Sequence, residues 1–214
     1  MAKATQLLHP DAVVYVFRHG HAAKSENGDA GDFGRALSDK GIKQAKQLGR
    51  TIAAAGIVFD QVICSAAGRA QETASLAAKH FKLNPDHGWF VGENWELYSP
   101  KSQADNAALW AATNELERLF NDGLAASAMS YSTFKKLDKT GFMDRFMKQT
   151  RRLVGAMQLS EAKNVAIFNH AVMGNAVAEA LFPQHAAVLG KIELAPCDCI
   201  RATATTCQHI PLMT

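Results

Sequence analysis

The apolar positions of this chain come in two rhythms that alternate from end to end. Val13-Val14-Tyr15-Val16-Phe17 is an unbroken β-branched and aromatic run, the pattern of a strand buried on both faces, and it stops abruptly at Arg18-His19-Gly20. Gln61 to Cys64, Trp89-Phe90-Val91 and Val165-Ala166-Ile167-Phe168 are shorter runs of the same kind. Between them the spacing lengthens to three and four. Ser38 stands as an N-cap with Asp39 in the first turn, and Ala45, Leu48, Ile52 and Ala55 predict a helix that ends near Gly56. Ala70, Thr73, Ala74, Ala77 and Phe81 predict a second, starting at Arg69 and stopping at Asn84-Pro85. Asp105 to Phe120, Phe142 to Met157 and Ala171 to Phe182 predict three more, the last closed by Pro183. Residues Asn121 to Gly141 show no single state, and Leu194 to Thr205 reads as a final strand, placed at an edge. Strand, turn and helix in repetition predict an α/β fold with a mostly parallel sheet.

Composition narrows this picture without changing it. A chain of 214 residues that is 48% hydrophobic can bury one large core. With no repeat or linker, residues 1–214 read as a single domain, in which the helices around 101–157 form an insertion that either caps the crevice or packs on the sheet. The net charge of +3 is scattered, which argues against a nucleic-acid partner and mildly favours an anionic substrate. No apolar run approaches the ~20 residues of a membrane span, and Met1 to Asp11 lacks the pattern of a signal peptide, so the expectation is a soluble, cytoplasmic protein with no membrane partner. Four cysteines raise the question of a disulfide or a metal. Cys64 ends a strand, and Cys197 and Cys199 alternate along another and so share a face, which favours reduced packing thiols over a zinc site.

The chemistry collects where strands end. Open α/β sheets bind ligands beyond the carboxyl ends of their strands, and four such ends here carry Arg18 and His19, Arg69, Glu93 or Glu96, and His170. Two guanidinium groups facing two imidazoles suit a phosphoryl group, whose oxygens accept bidentate hydrogen bonds. His19 is a candidate nucleophile, kept unprotonated by the arginines, with His170 stabilising the transferring group. A carboxylic acid is then needed to protonate the leaving alkoxide and to activate water. The polar stretch His21 to Arg35, with Gly28, Gly31 and Gly34, reads as a functional loop over the crevice.

These residues also carry a family resemblance. Arg18-His19-Gly20, the segment Leu37-Ser38-Asp39-Lys40-Gly41-Ile42-Lys43-Gln44-Ala45, the segment Ser65-Ala66-Ala67-Gly68-Arg69-Ala70-Gln71-Glu72-Thr73-Ala74 and His170 resemble, in order, the signatures of the histidine phosphatase superfamily, in the branch of the cofactor-dependent phosphoglycerate mutases. The resemblance implies a three-layer α/β/α fold, a phosphohistidine on His19, and a phosphate pocket of Arg18, Arg69 and His170 with no metal or other cofactor. It implies Gly20, Ser25 and Arg35 as substrate-binding positions. Asn94-Trp95-Glu96 resembles the family's Leu-x-Glu, which implies Glu96, with Glu93 as the alternative, as proton donor. Glu96-Leu97-Tyr98-Ser99-Pro100 and Arg35-Ala36-Leu37-Ser38 are similar to segments of the short phosphohistidine phosphatases.

The chain departs from the pattern at Asn169-His170-Ala171, where Ser-His-Gly is usual, at His21, where Glu or Gln is common, and at Ser25, where the mutases use asparagine. It also lacks the mutases' Asn-Glu-Arg-His-Tyr-Gly segment. The expectation is therefore a phosphatase acting on a phosphorylated small molecule or phosphoprotein. A mutase-like phosphotransferase, a non-catalytic phosphate-binding protein and a zinc hydrolase using His19, His21 and a third histidine are the alternatives.

Overall fold

Two sets of apolar side chains, one on each face of a sheet, define the architecture. The computed structural model describes residues 8–23, 35–86, 88–94, 97, 131–157, 159 and 161–212, the stretch 89–94 as backbone. In chain order the elements are β1 (Val13–Arg18), α1 (Asp39–Ala54), β2 (Val58–Phe59), β3 (Gln61–Ser65), α2 (Gly68–Ala78), β4 (Lys82–Leu83) and β5 (Trp89–Asn94). After these come α3 (Tyr131–Leu137), α4 (Phe142–Ala156), β6 (Asn164–Asn169), α5 (Ala171–Leu181), a short α6 (Ala186–Leu189), β7 (Cys199–Ala202) and β8 (Cys207–Ile210).

The main sheet runs β5-β3-β6-β1-β7-β8. The strands β5, β3, β6 and β1 are parallel, and β7 and β8 extend the sheet in antiparallel fashion. Successive residues of a strand face opposite ways, and the strands obey this rule. Tyr15, Phe17, Val62, Cys64, Ala166 and Phe168 pack with Leu48 and Ile52 of α1 and with Ala74 and Ala77 of α2. Val14, Val16, Ile63, Val165 and Ile167 pack on the other side with Tyr131, Phe134, Phe142, Phe146, Met173 and Val177 from α3, α4 and α5. The result is a three-layer α/β/α fold. Among the described residues, no helix is long and apolar enough to cross a membrane.

Three elements differ from the expectation, each for a local reason. The second helix ends at Ala78 rather than at Asn84. Phe81 is drawn instead onto Phe59, edge to face at 5.1 Å, and the chain after it forms β4 in a small parallel pair with β2. A helix forms within the segment that shows no single state, because Tyr131 and Phe134, three apart, are both buried in the α5-side core. The expected last strand is split. Pro196 and the left-handed backbone of Cys197 (φ 67°) end the approach, and β7 then turns back through Thr203 to Thr206 into β8, which is the actual edge. Cys197 therefore precedes the strand that carries Cys199 instead of alternating along it. All four cysteines are free thiols, and burial pushes the pKa of Cys197 up to about 12.

Candidate active site

Register brings the polar strand ends level. Arg18 pairs with Asn169 across β1 and β6, and Cys64 pairs with Phe168 across β3 and β6, so Ser65 stands beside Asn169. The residues that follow, His19, His170 and the start of α2, consequently come together at one end of the sheet. The rings of His19 and His170 lie 5.2 Å apart at 65°. Arg69 enters from the first turn of α2, buried, and its Nε donates to His19 Nε2 at 3.1 Å.

The proton on His19 can be placed from its partners. A carbonyl oxygen only accepts, so Nδ1, 2.7 Å from the Gly20 carbonyl, carries the hydrogen. Nε2 accepts from Arg69 and so bears the lone pair. Gly20 is held in turn: its N–H donates to Thr73 Oγ1 at 3.0 Å, and that hydroxyl donates to the Arg69 carbonyl at 2.7 Å. His170 occupies the position before the first residue of α5, at the positive end of the helix dipole, and its Nε2 lies 2.9 Å from Ser65 Oγ. Desolvation, then the nearby His19, Arg69 and Arg18, hold His170 well below the ordinary histidine pKa, so it is a neutral ring. The side-chain oxygen of Asn169 accepts from the backbone N–H of His170 at 2.8 Å, which fixes the chain at the turn into α5.

Arg18 is backed by a buried carboxylate. Asp198 attracts its guanidinium, opposing the burial that lowers the arginine's pKa, while an Arg18 N–H donates to the Leu194 carbonyl. Asp198 is itself saturated by His209 at 2.8 Å and by the N–H groups of Ala195 and Leu212.

The loop after Gly20 is locked to α1. Ser38 caps the helix by accepting from Gly41 N–H, and its hydroxyl also donates to the His21 carbonyl. Gln44 Oε1 accepts the His21 N–H at 2.9 Å. Gly41 is required here, because a Cβ would stand 2.1 Å from the His21 oxygen. Arg35 donates through Nε to the Ala23 carbonyl, which ties the two ends of the 24–34 stretch together.

Of the residues singled out from the sequence, Arg18, His19, Gly20, Arg69 and His170 are thus brought together. Arg35 is placed at the loop ends, where its Nε donates to the Ala23 carbonyl. Glu93 belongs to β5, whereas Glu96 and Ser25 lie outside the described residues. Sequence reasoning missed Ser65, Thr73, Gln44 and Asp198 as partners. The first three lie inside the quoted motifs, but hydroxyls and amides mid-motif carry no chemical signature until their neighbours are known.

The family model for the histidine phosphatase superfamily (branch 1) matches residues 14–209. The chain belongs to that superfamily. Solved histidine phosphatase-like structures with the same fold include mycobacterial glucosyl-3-phosphoglycerate phosphatase Rv2419c in complex with VO3, which is 15% identical, covers 89% of this chain and 90% of its own, and has a TM-score of 0.58. Phosphoglycerate mutase from Bacillus anthracis str. Sterne is 19% identical, with 94% and 92% covered and a TM-score of 0.54. The protein histidine phosphatase SixA with tungstate is 14% identical, with 93% and 96% covered and a TM-score of 0.52. No curated protein matches the sequence.

Proposed function

We propose that the protein is a phosphatase that hydrolyses a phosphate monoester or phosphoprotein through a covalent phosphohistidine on Nε2 of His19. The observation that carries this reading is the pair of opposed bonds on one ring: Nδ1 donates to Gly20, so the Nε2 lone pair faces the Arg69 guanidinium. An imidazole held this way is a nucleophile at a site prepared for an anion. Two oxyanion complexes of the same fold, with tungstate and VO3, support a tetrahedral or phosphate-like ligand.

In the reaction, Nε2 attacks phosphorus and the bond to the leaving oxygen breaks. Arg18 and Arg69 neutralise the phosphoryl oxygens, and neutral His170 contributes a hydrogen bond. Glu96 is the proposed acid that protonates the leaving alkoxide, with Glu93 the other carboxylate near the end of β5. A water molecule, deprotonated by the same carboxylate, then breaks the N–P bond and releases inorganic phosphate. Residues 1–214 form one domain in this reading, with a helical insertion around 101–157, and Lys24 to Arg35 and Asp105 to Met157 set substrate choice. Missing mutase motifs favour water over an isomeric substrate as the final acceptor.

The test is phosphate release from p-nitrophenyl phosphate, alongside a denaturing quench at alkaline pH of the enzyme during turnover. His19→Ala abolishes release, and the wild type traps an acid-labile, base-stable phosphoryl group. Turnover that survives His19→Ala would exclude this mechanism, and recovery of an isomeric ester in place of free phosphate when a phosphate monoester with a second hydroxyl is the substrate would make the protein a mutase.

A further inference from the structure

The two peptide groups that flank Gly20 are each held by a side chain from a different helix, and together they decide how the His19 ring is protonated. The His19–Gly20 peptide presents its N–H to Thr73 Oγ1 at 3.0 Å. In the Gly20–His21 peptide, the N–H of His21 donates to Gln44 Oε1 at 2.9 Å, while the Gly20 carbonyl on the opposite side accepts from His19 Nδ1 at 2.7 Å. Carbonyl and N–H point in opposite directions across a trans peptide, so anchoring one aims the other. Thr73 is fully buried and closes a circuit, because its hydroxyl donates to the carbonyl of Arg69, the residue whose Nε faces His19 Nε2.

We propose that Thr73 and Gln44 are positioning residues that hold Gly20 so that its carbonyl keeps the proton on Nδ1 of His19 and leaves Nε2 free to attack. Every link has a fixed polarity. The Gly20 and His21 N–H groups can only donate, and the Arg69 and Gly20 carbonyls can only accept. The threonine hydroxyl has one hydrogen and spends it on Arg69, so it must accept from Gly20. Free neutral histidine favours the proton on Nε2, which would block the lone pair. The circuit therefore works against the ring's own preference. Neither residue touches the reacting phosphorus in this scheme. Thr73 sits one helical turn behind Arg69, and Gln44 sits on α1.

This inference rests on His19 as nucleophile, yet its first readout needs no turnover. Nitrogen-15 spectra of the labelled full-length protein report the tautomer of His19, assigned by loss of its signals in His19→Gln. The wild type should show the Nδ1–H form. Thr73→Val, which keeps shape and removes the hydroxyl, should shift His19 toward the Nε2–H form and lower kcat by about 10- to 100-fold with little change in KM. Thr73→Ser should restore both. Gln44→Leu, at a half-buried position, should move the spectrum in the same direction and serves as the deciding variant should Thr73→Val fail to fold.

Folded Thr73→Val or Gln44→Leu protein that retains the Nδ1–H spectrum would overturn the proposal. A tautomer that shifts as expected in a protein without phosphatase turnover would uphold it and defeat the functional reading. His19-dependent turnover with a tautomer indifferent to both variants would do the reverse.

Discussion

Arg69 shows how much one side chain can be asked to do. Its Nε meets the nucleophile, its carbonyl accepts from Thr73, and it lies buried beside two imidazoles. Lysine would keep the charge but lose the planar fork that can face a ring nitrogen and phosphoryl oxygens together. Arg69→Lys is expected to lower kcat/KM by about 10²- to 10³-fold, the usual scale for losing one preorganised donor, measured with p-nitrophenyl phosphate. The reactive types Arg18, His19, Arg69 and His170 were legible because cations and imidazoles directly after apolar strands have few structural reasons to be there. In the sequence Thr73 belongs to a helical stripe, and it is buried on that stripe. Only its hydroxyl partners separate it from a packing residue.

At the scale of elements, close approach of backbones sets the geometry of the site. α1 and α2 lie side by side on one face of the sheet, and a Cβ at Gly49 would stand 2.3 Å from the Ala77 carbonyl oxygen. The backbone cannot yield as a flexible side chain would, so Gly49→Ala should separate the helices and cost about 1–3 kcal/mol. A fall in the urea midpoint of unfolding would show it. Because Gln44 and Arg69 ride on these two helices, activity should fall in the same variant. The regular helices were legible from periodicity, whereas the end of α2 was not. Phe81 continues the helical spacing in sequence, but its contact with Phe59, 22 positions earlier, outweighs one more turn of helix. α3 is not legible for a related reason, since two turns with three apolar residues give too short a pattern to stand out.

For the molecule as a whole, the buried neutral His170 couples stability to pH. Its pKa in the folded protein lies below the ordinary value of about 6.5 that it regains on unfolding. Above that value neither state binds the proton. As pH falls below it, the unfolded chain takes up a proton that the folded protein refuses, and stability drops by up to about 1.4 kcal/mol per pH unit until the folded pKa is reached. Urea midpoints measured from neutral to mildly acidic pH should therefore fall more steeply for the wild type than for His170→Gln. The proposed chemistry involves protein groups and water alone, so turnover is expected to persist after dialysis against EDTA. Loss of activity that zinc restores would revive the metal reading.

The amino-acid sequence by itself determined what depends on near neighbours: buried strands at Val13 and Val165, the Ser38 cap, the helical stripes, and which reactive side chains follow a strand. It could not order the strands, since β6 enters between β1 and β3 after a hundred intervening residues and is chosen by side-chain packing on both faces. Nor could it say which nitrogen of His19 holds a proton. That was decided by the tertiary structure, because a hydrogen bond exists only within a few tenths of an ångström of its ideal length, and the groups concerned, Gly20, Thr73, Gln44 and Arg69, come from three separate parts of the chain.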